Sequence, residues 1–180
     1  SEIVSQMMYG ENFFIIKKVN EWLKIKTKYD NYVGSLQNKN YSKQVNPTHK
    51  IISLRANIYK LPNKKKASKL KLSFNSKIKV TESKNKFFKF EKGWIEKNQV
   101  KPVNYKDKDP IEKIQIFKNV KYKWGGKSFK GIDCSALVQI CLNFNNKYCP
   151  RDTKDQVKFF KKAISLCNIK KNNIIFLNGH

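Results

Sequence analysis

The chain has 180 residues, 39% of them hydrophobic, enough apolar material for one medium domain or two to three small ones. Its formal charge of +26 points to anionic partners such as nucleic acid, anionic lipid or a wall polymer. The excess is nearly all lysine, with Arg55 and Arg151 the only arginines, so base-reading arginine forks are almost absent and no nucleic-acid partner is expected.

In chain order, "ENFFIIKKV", "EWLKIKT" and "NYVGSL" read as short strands. The turns Tyr9-Gly10-Glu11, Val19-Asn20 and Asp30-Asn31 separate them. Residues 49–100 repeat the scheme in "KIISLRANIYKLP", "SKIKVTES", "KFFKFEKG" and "WIEKNQV", offset by about 60–65 residues, a spacing of tandem domains. The polar stretches 37–50 and 101–110 read as linkers, and the lysine clusters at 63–66 and 69–71 as solvated loops. At Asp109-Pro110 the pattern changes. An Asp cap and a Pro open a helix with Ile111, Ile114 and Phe117 on one face. A second helix follows Gly131, with Leu137, Ile140, Cys141 and Phe144 on a core-facing stripe. Ile174–Leu177 reads as a strand and Asn178-Gly179 as a hairpin turn.

The four cysteines form no C-x-x-C pair, so neither a metal site nor any other cofactor is expected, and a reducing compartment is the simpler setting. No apolar run approaches the ~20 residues that cross a bilayer, and residues 1–20 do not read as a signal peptide. Cys134 stands in the first turn of the second helix, where the positive helix end favours a thiolate. A nucleophile there needs an imidazole nearby. His49 lies in a linker; His180 would open the strand after the hairpin turn. Asp133 is either the cap of that helix or a carboxylate offered to a cation. Ser135 either satisfies a first-turn amide or contacts substrate. Thr153-x-x-Gln156 spells a capping box, and Arg151 suggests a fork contact to a carboxylate within the fold or on substrate.

Two resemblances sharpen this reading. Tyr9-Gly10-Glu11, Trp22-Leu23-Lys24-Ile25 and Tyr32-Val33-Gly34 resemble bacterial SH3-like modules, with a weaker second copy around Gly93-Trp94-Ile95. "YKWGGKSFKGIDCSALVQ", "YCPRDTKDQ" and "IKKNNIIFLNGH" together resemble the NlpC-type cell-wall cysteine peptidases. The resemblance implies Cys134 as nucleophile, His180 as general base and Tyr122 as a donor to the oxyanion. It implies Asp133 and Ser135 as a grip on the free amine of an L-alanine, with Arg151 and Asp152 either orienting substrate or bracing the helix start.

The expected fold is therefore multi-domain: two small all-β SH3-like barrels followed by an α+β, papain-like NlpC-type domain. The expected boundaries are 1–40 (its opening strand missing), 48–104 and 109–180, the last truncated at its C-terminus before the third triad member. The expected activity is cleavage of the γ-D-glutamyl–diaminopimelate bond in peptidoglycan stem peptides or muropeptides, in the cytoplasm ahead of the periplasm or wall. A wall-peptide-binding protein with an incomplete catalytic domain is the alternative.

Overall fold

The computed structural model describes residues 2–161 and 163–177. The first strands are β1 (Phe13–Val19), β2 (Trp22–Thr27) and β3 (Val33–Gln37), an antiparallel meander in that order. Next come β4 (His49–Ile51), β5 (Arg55–Tyr59), β6 (Ala67–Ser73), β7 (Lys77–Ile78), β8 (Glu82–Lys84), β9 (Phe87–Phe90), β10 (Gly93–Glu96) and β11 (Val100–Pro102). They build a five-stranded sheet, β6-β5-β10-β9-β8, and a three-stranded sheet, β11-β4-β7. A two-stranded ribbon, β12 (Lys127–Ser128) and β13 (Gly131–Ile132), leads into α1 (Cys134–Phe144), and α2 (Thr153–Phe159) follows.

Local chemistry accounts for most of these elements. Asn20, at φ 50°, takes the left-handed turn position between β1 and β2, which asparagine tolerates. Leu23 and Ile25 of β2 are buried and alternate with exposed lysines, the signature of a half-buried strand. β6 is a strand where solvated lysine loops were expected. Its "ASKLKLS" run pairs with β5 at the sheet edge, Leu72 being buried and Lys69 exposed. The segment Ile111–Phe117 winds as a 3-10 helix, and Ile111 N–H donates to Asp109 Oδ1 at 3.0 Å. The expected strand at Ile174–Leu177 does not form.

The expectation of two SH3-like barrels followed by a separate catalytic domain is not met. Met8 and Phe74 share one core with Phe117, Ile132, Ala136, Ile140, Cys141 and Phe144 of the helical region. Phe74 stacks on Phe144 at 4.7 Å and meets Phe117 edge-on at 5.8 Å. Polar ties also cross the expected boundaries. Lys77 N–H donates to the Tyr9 carbonyl at 2.8 Å, the Gln139 amide to Asp30 Oδ2 at 2.7 Å, and the Tyr29 hydroxyl to the Lys147 carbonyl at 2.8 Å. The nearly buried Lys127–Glu11 pair, at 3.1 Å, is another. The physical reason is core size. β1 carries no buried residue and β3 none, so the meander cannot hold itself together and leans on the rest. The chain is one body of mixed strands and helices.

Lys50, on β4, is fully buried. Its ammonium donates to the Tyr105 carbonyl at 2.5 Å and to the Phe144 carbonyl, and lies 4.2 Å from the centre of the Phe144 ring. Phe144 ends α1, so the cation sits where the helix exposes unpaired carbonyls. Burial, then the nearby Lys77 charge, lowers the Lys50 ammonium to about 8.

Two outcomes are expected. Phe74→Ala should cost about 3–5 kcal/mol in chemical denaturation. Fluorescence and far-UV dichroism should shift together, because both halves lose the same core contact. Separately, stability should rise with pH from about 8 toward the ordinary lysine range, where the folded Lys50 is neutral and the unfolded one still protonated. That rise should flatten in Lys50→Met, followed by urea midpoints across the window.

Candidate active site

The loop before α1 is set by β13. Ile132 N–H donates to the Lys121 carbonyl and Lys123 N–H to the Ile132 carbonyl, each at 3.2 Å. Tyr122 thus forms a parallel bridge with Ile132, two residues before Cys134. Gly125 is required here. At φ 70° it takes a conformation that a side chain resists, and a Cβ would lie 2.2 Å from the Ile3 carbonyl oxygen. Its N–H donates to Asp133 Oδ2 at 3.0 Å.

Asp133 caps α1: its Oδ1 accepts from Ala136 N–H at 2.8 Å. The same carboxylate, only 6% exposed, accepts both ends of the Arg151 fork, Nη1 to Oδ1 at 3.0 Å and Nη2 to Oδ2 at 2.5 Å. The Ser135 hydroxyl donates to Oδ1 at 3.2 Å and accepts from Arg151 Nη1 at 2.8 Å. Arg151 Nε donates to Ser5 Oγ at 2.9 Å, so every nitrogen of the guanidinium is engaged. Gln156 does not close the expected capping box with Thr153. The α2 cap is Asp152, without a side-chain bond, and the Gln156 amide donates to the Ser135 and Pro150 carbonyls at 2.8 and 2.9 Å.

Around this frame lies a cleft of about 870 Å³. Tyr122, Asp133, Cys134, Ser135, Arg151 and Asp152 all line it, so the site residues expected from sequence within the described chain converge on one opening. His180 lies outside the described residues. Cys134 is exposed at the start of α1, while Cys141 and Cys149 are buried. Burial drives the latter two thiols up to about 12 each. Tyr122 is 64% exposed, and partial desolvation, then the neighbouring Cys134 and Asp133, holds its phenol above the ordinary value, hence protonated and able to donate. Asp152 is raised too, by burial first, with Arg151 opposing and Asp155 adding to it.

The N-terminal segment also reaches the cleft, which pattern reading missed. Val4 and Tyr32 line it. The Tyr32 phenol is raised by burial first and then by the nearby Asp152 carboxylate, with Arg151 opposing. Nothing in the local sequence marks Ser5, Val4 or Tyr32 as site residues, because their partners are more than a hundred positions away.

Residues 119–180 match the NlpC/P60 family. The matched stretch contains Tyr122, Asp133, Cys134, Ser135, Arg151 and Asp152. Over 97% of its length the chain is 23% identical to the γ-D-glutamyl-L-lysine dipeptidyl-peptidase of Bacillus subtilis (strain 168). Over 59 residues, 33% of the chain, it is 37% identical to dipeptidyl-peptidase 6 of Lysinibacillus sphaericus. It spans 64% of the first relative and 22% of the second, under two thirds of either. The crystal structure of an NlpC/P60 family protein from Bacillus cereus ATCC 10987 superposes with a TM-score of 0.72 at 20% identity, covering 86% of this chain and 59% of that one. The shared fold thus runs through the strand-rich and helical parts alike, in agreement with the single body and against the expected string of separate domains. Among the described residues no helix is long and apolar enough to cross a membrane.

Alkylation by iodoacetamide at neutral pH should mark Cys134 and Cys167, both exposed, and spare Cys141 and Cys149. Peptide mass mapping reads the pattern directly.

Proposed function

We propose that the chain is a cysteine peptidase acting on peptidoglycan-derived peptides, and that it cuts the γ-D-glutamyl bond to the diamino acid of the stem. Diaminopimelate is the diamino acid expected from sequence, and L-lysine the one in the name of the Bacillus subtilis relative. The observation that carries the reading is an exposed thiol at the start of a helix, in a cleft it shares with a protonated phenol and a carboxylate.

The chemistry follows from these groups. Cys134 sulfur attacks the γ-carbonyl carbon and the carbonyl electrons move onto oxygen. The Tyr122 hydroxyl donates to that oxyanion. His180 takes the thiol proton and returns it to the departing amine of the diamino acid, leaving a thioester on Cys134. Water activated by the same imidazole then releases the γ-glutamyl acid and frees the thiol. The Asp133 carboxylate already accepts five hydrogen bonds within the fold, so Asp133, Ser135 and Arg151 shape the pocket wall that substrate meets. Asp152, beside Tyr32, is the carboxylate with capacity left for the free amine of an N-terminal alanine. This favours imported or released fragments with a free amine over capped stems, and a cytoplasmic place of action over the wall.

Incubation with L-Ala-γ-D-Glu-L-Lys, and with its diaminopimelate counterpart, should release L-Ala-γ-D-Glu by liquid chromatography and mass spectrometry. Cys134→Ala should abolish release. Tyr122→Phe should lower kcat about a hundredfold with KM little changed. N-acetylation of the alanine should raise KM. Release that persists in Cys134→Ala, or that ignores the acetyl group, overturns the corresponding part of the proposal.

A further inference from the structure

The charged side chains of the cleft divide into one closed pair and one open one. Among the described residues that line it, the only cations are Arg151 and Lys154. Arg151 is just 4% exposed and spends its guanidinium on Asp133, Ser135 and Ser5. Lys154 is exposed, in the first turn of α2, and makes no ion pair among the described residues. It lies near enough to Asp152 to oppose the upward shift of that carboxylate. Thr153 alone separates the two along the chain. Ile174–Leu177, also on the lining, offers apolar side chains and no charge. With Asp133 and Arg151 spent on each other, an anionic group entering this cleft meets one open aspartate, Asp152, and one available ammonium, Lys154.

We infer that Lys154 determines specificity at this site by pairing its ammonium with the α-carboxylate of the γ-linked glutamyl residue. The inference rests on the substrate class proposed above and adds to it a choice that the reading leaves open. A γ-linked glutamyl residue keeps its α-carboxyl free, and that group is either an acid or, when amidated, an isoglutamine. In L-alanyl-γ-D-glutamyl peptides the free amine and the α-carboxylate flank a single peptide bond. Asp152 and Lys154 border the same opening, so one dipeptide lying in it can reach both. Lysine suits the task as a point charge on a flexible stem, able to follow a carboxylate that the backbone does not fix. An amide at the same position cannot recover this attraction, and it leaves the ammonium without a partner.

The test is a binding measurement, independent of turnover. Cys134→Ala chain is titrated by calorimetry with L-Ala-γ-D-Glu-L-Lys and with its isoglutamine analogue, before and after Lys154→Gln and Lys154→Arg. The acid should bind about five- to tenfold more tightly than the amide, the scale of a partly exposed ion pair. Lys154→Gln should erase that preference by weakening the acid alone, Lys154→Arg should keep it, and added salt should shrink it. Equal affinity for both peptides in the Lys154 chain, or an equal loss of both in Lys154→Gln, overturns the inference and leaves the proposed activity standing. Binding of neither peptide at millimolar concentration overturns the substrate class itself, and the inference with it.

Discussion

The buried pair of Asp133 and Arg151 organises the site. One carboxylate caps α1, receives the Gly125 amide from the preceding loop and holds both ends of a guanidinium that arrives from the start of the next helix. Cys134 is the next residue after this carboxylate, so the position of the thiol is set by how firmly Asp133 is held. A buried charge without its partner costs several kcal/mol, and a fork meeting a carboxylate with both ends is the geometry that avoids that cost. The third arm of the fork, Nε to Ser5, extends the same constraint to the N-terminal segment.

That extension explains why the chain is not a string of modules. The meander β1-β2-β3 has little core of its own, yet its loop reaches α1 through Asp30 and the segment after α1 through Tyr29, and its tyrosine at position 32 reaches the cleft. Phe74, from the strand-rich half, sits against Phe144 and Phe117 from the other. Lys50 anchors the last turn of α1 from the opposite side. The helix that presents the thiol is therefore held at its first turn by an ion pair and at its last by a buried ammonium. Both anchors are tertiary.

Much of this was legible beforehand where the signal is local. The apolar stripe of α1 and the turn before it predict a helix with Cys134 in its first turn, and α1 has it there. Alternation in "EWLKIKT" predicts β2. The reading went astray where two rules compete. In "KLKLS" the lysines suggested solvent, but alternation places them along an edge strand with Leu72 inward. Thr153 and Gln156 have capping-box spacing, but the Gln156 amide is worth more to the buried Ser135 and Pro150 carbonyls than to a helix end that water can reach.

By itself, the sequence determined the locally coded elements and the chemical inventory: strands of period two, a helix with a cysteine in its first turn, and a tyrosine, aspartates and an arginine at motif spacing. Those features depend on neighbours within a turn or a hairpin, where chain connectivity already limits the choices. The tertiary structure decided how these pieces join. It made one body in place of three, assigned Arg151 to Asp133, and brought Tyr32 to the cleft and left Lys154 there as the cation without a partner in the described fold. Such contacts join residues far apart in the chain, and which of many similar lysines, tyrosines and serines meet is settled only when the whole core packs.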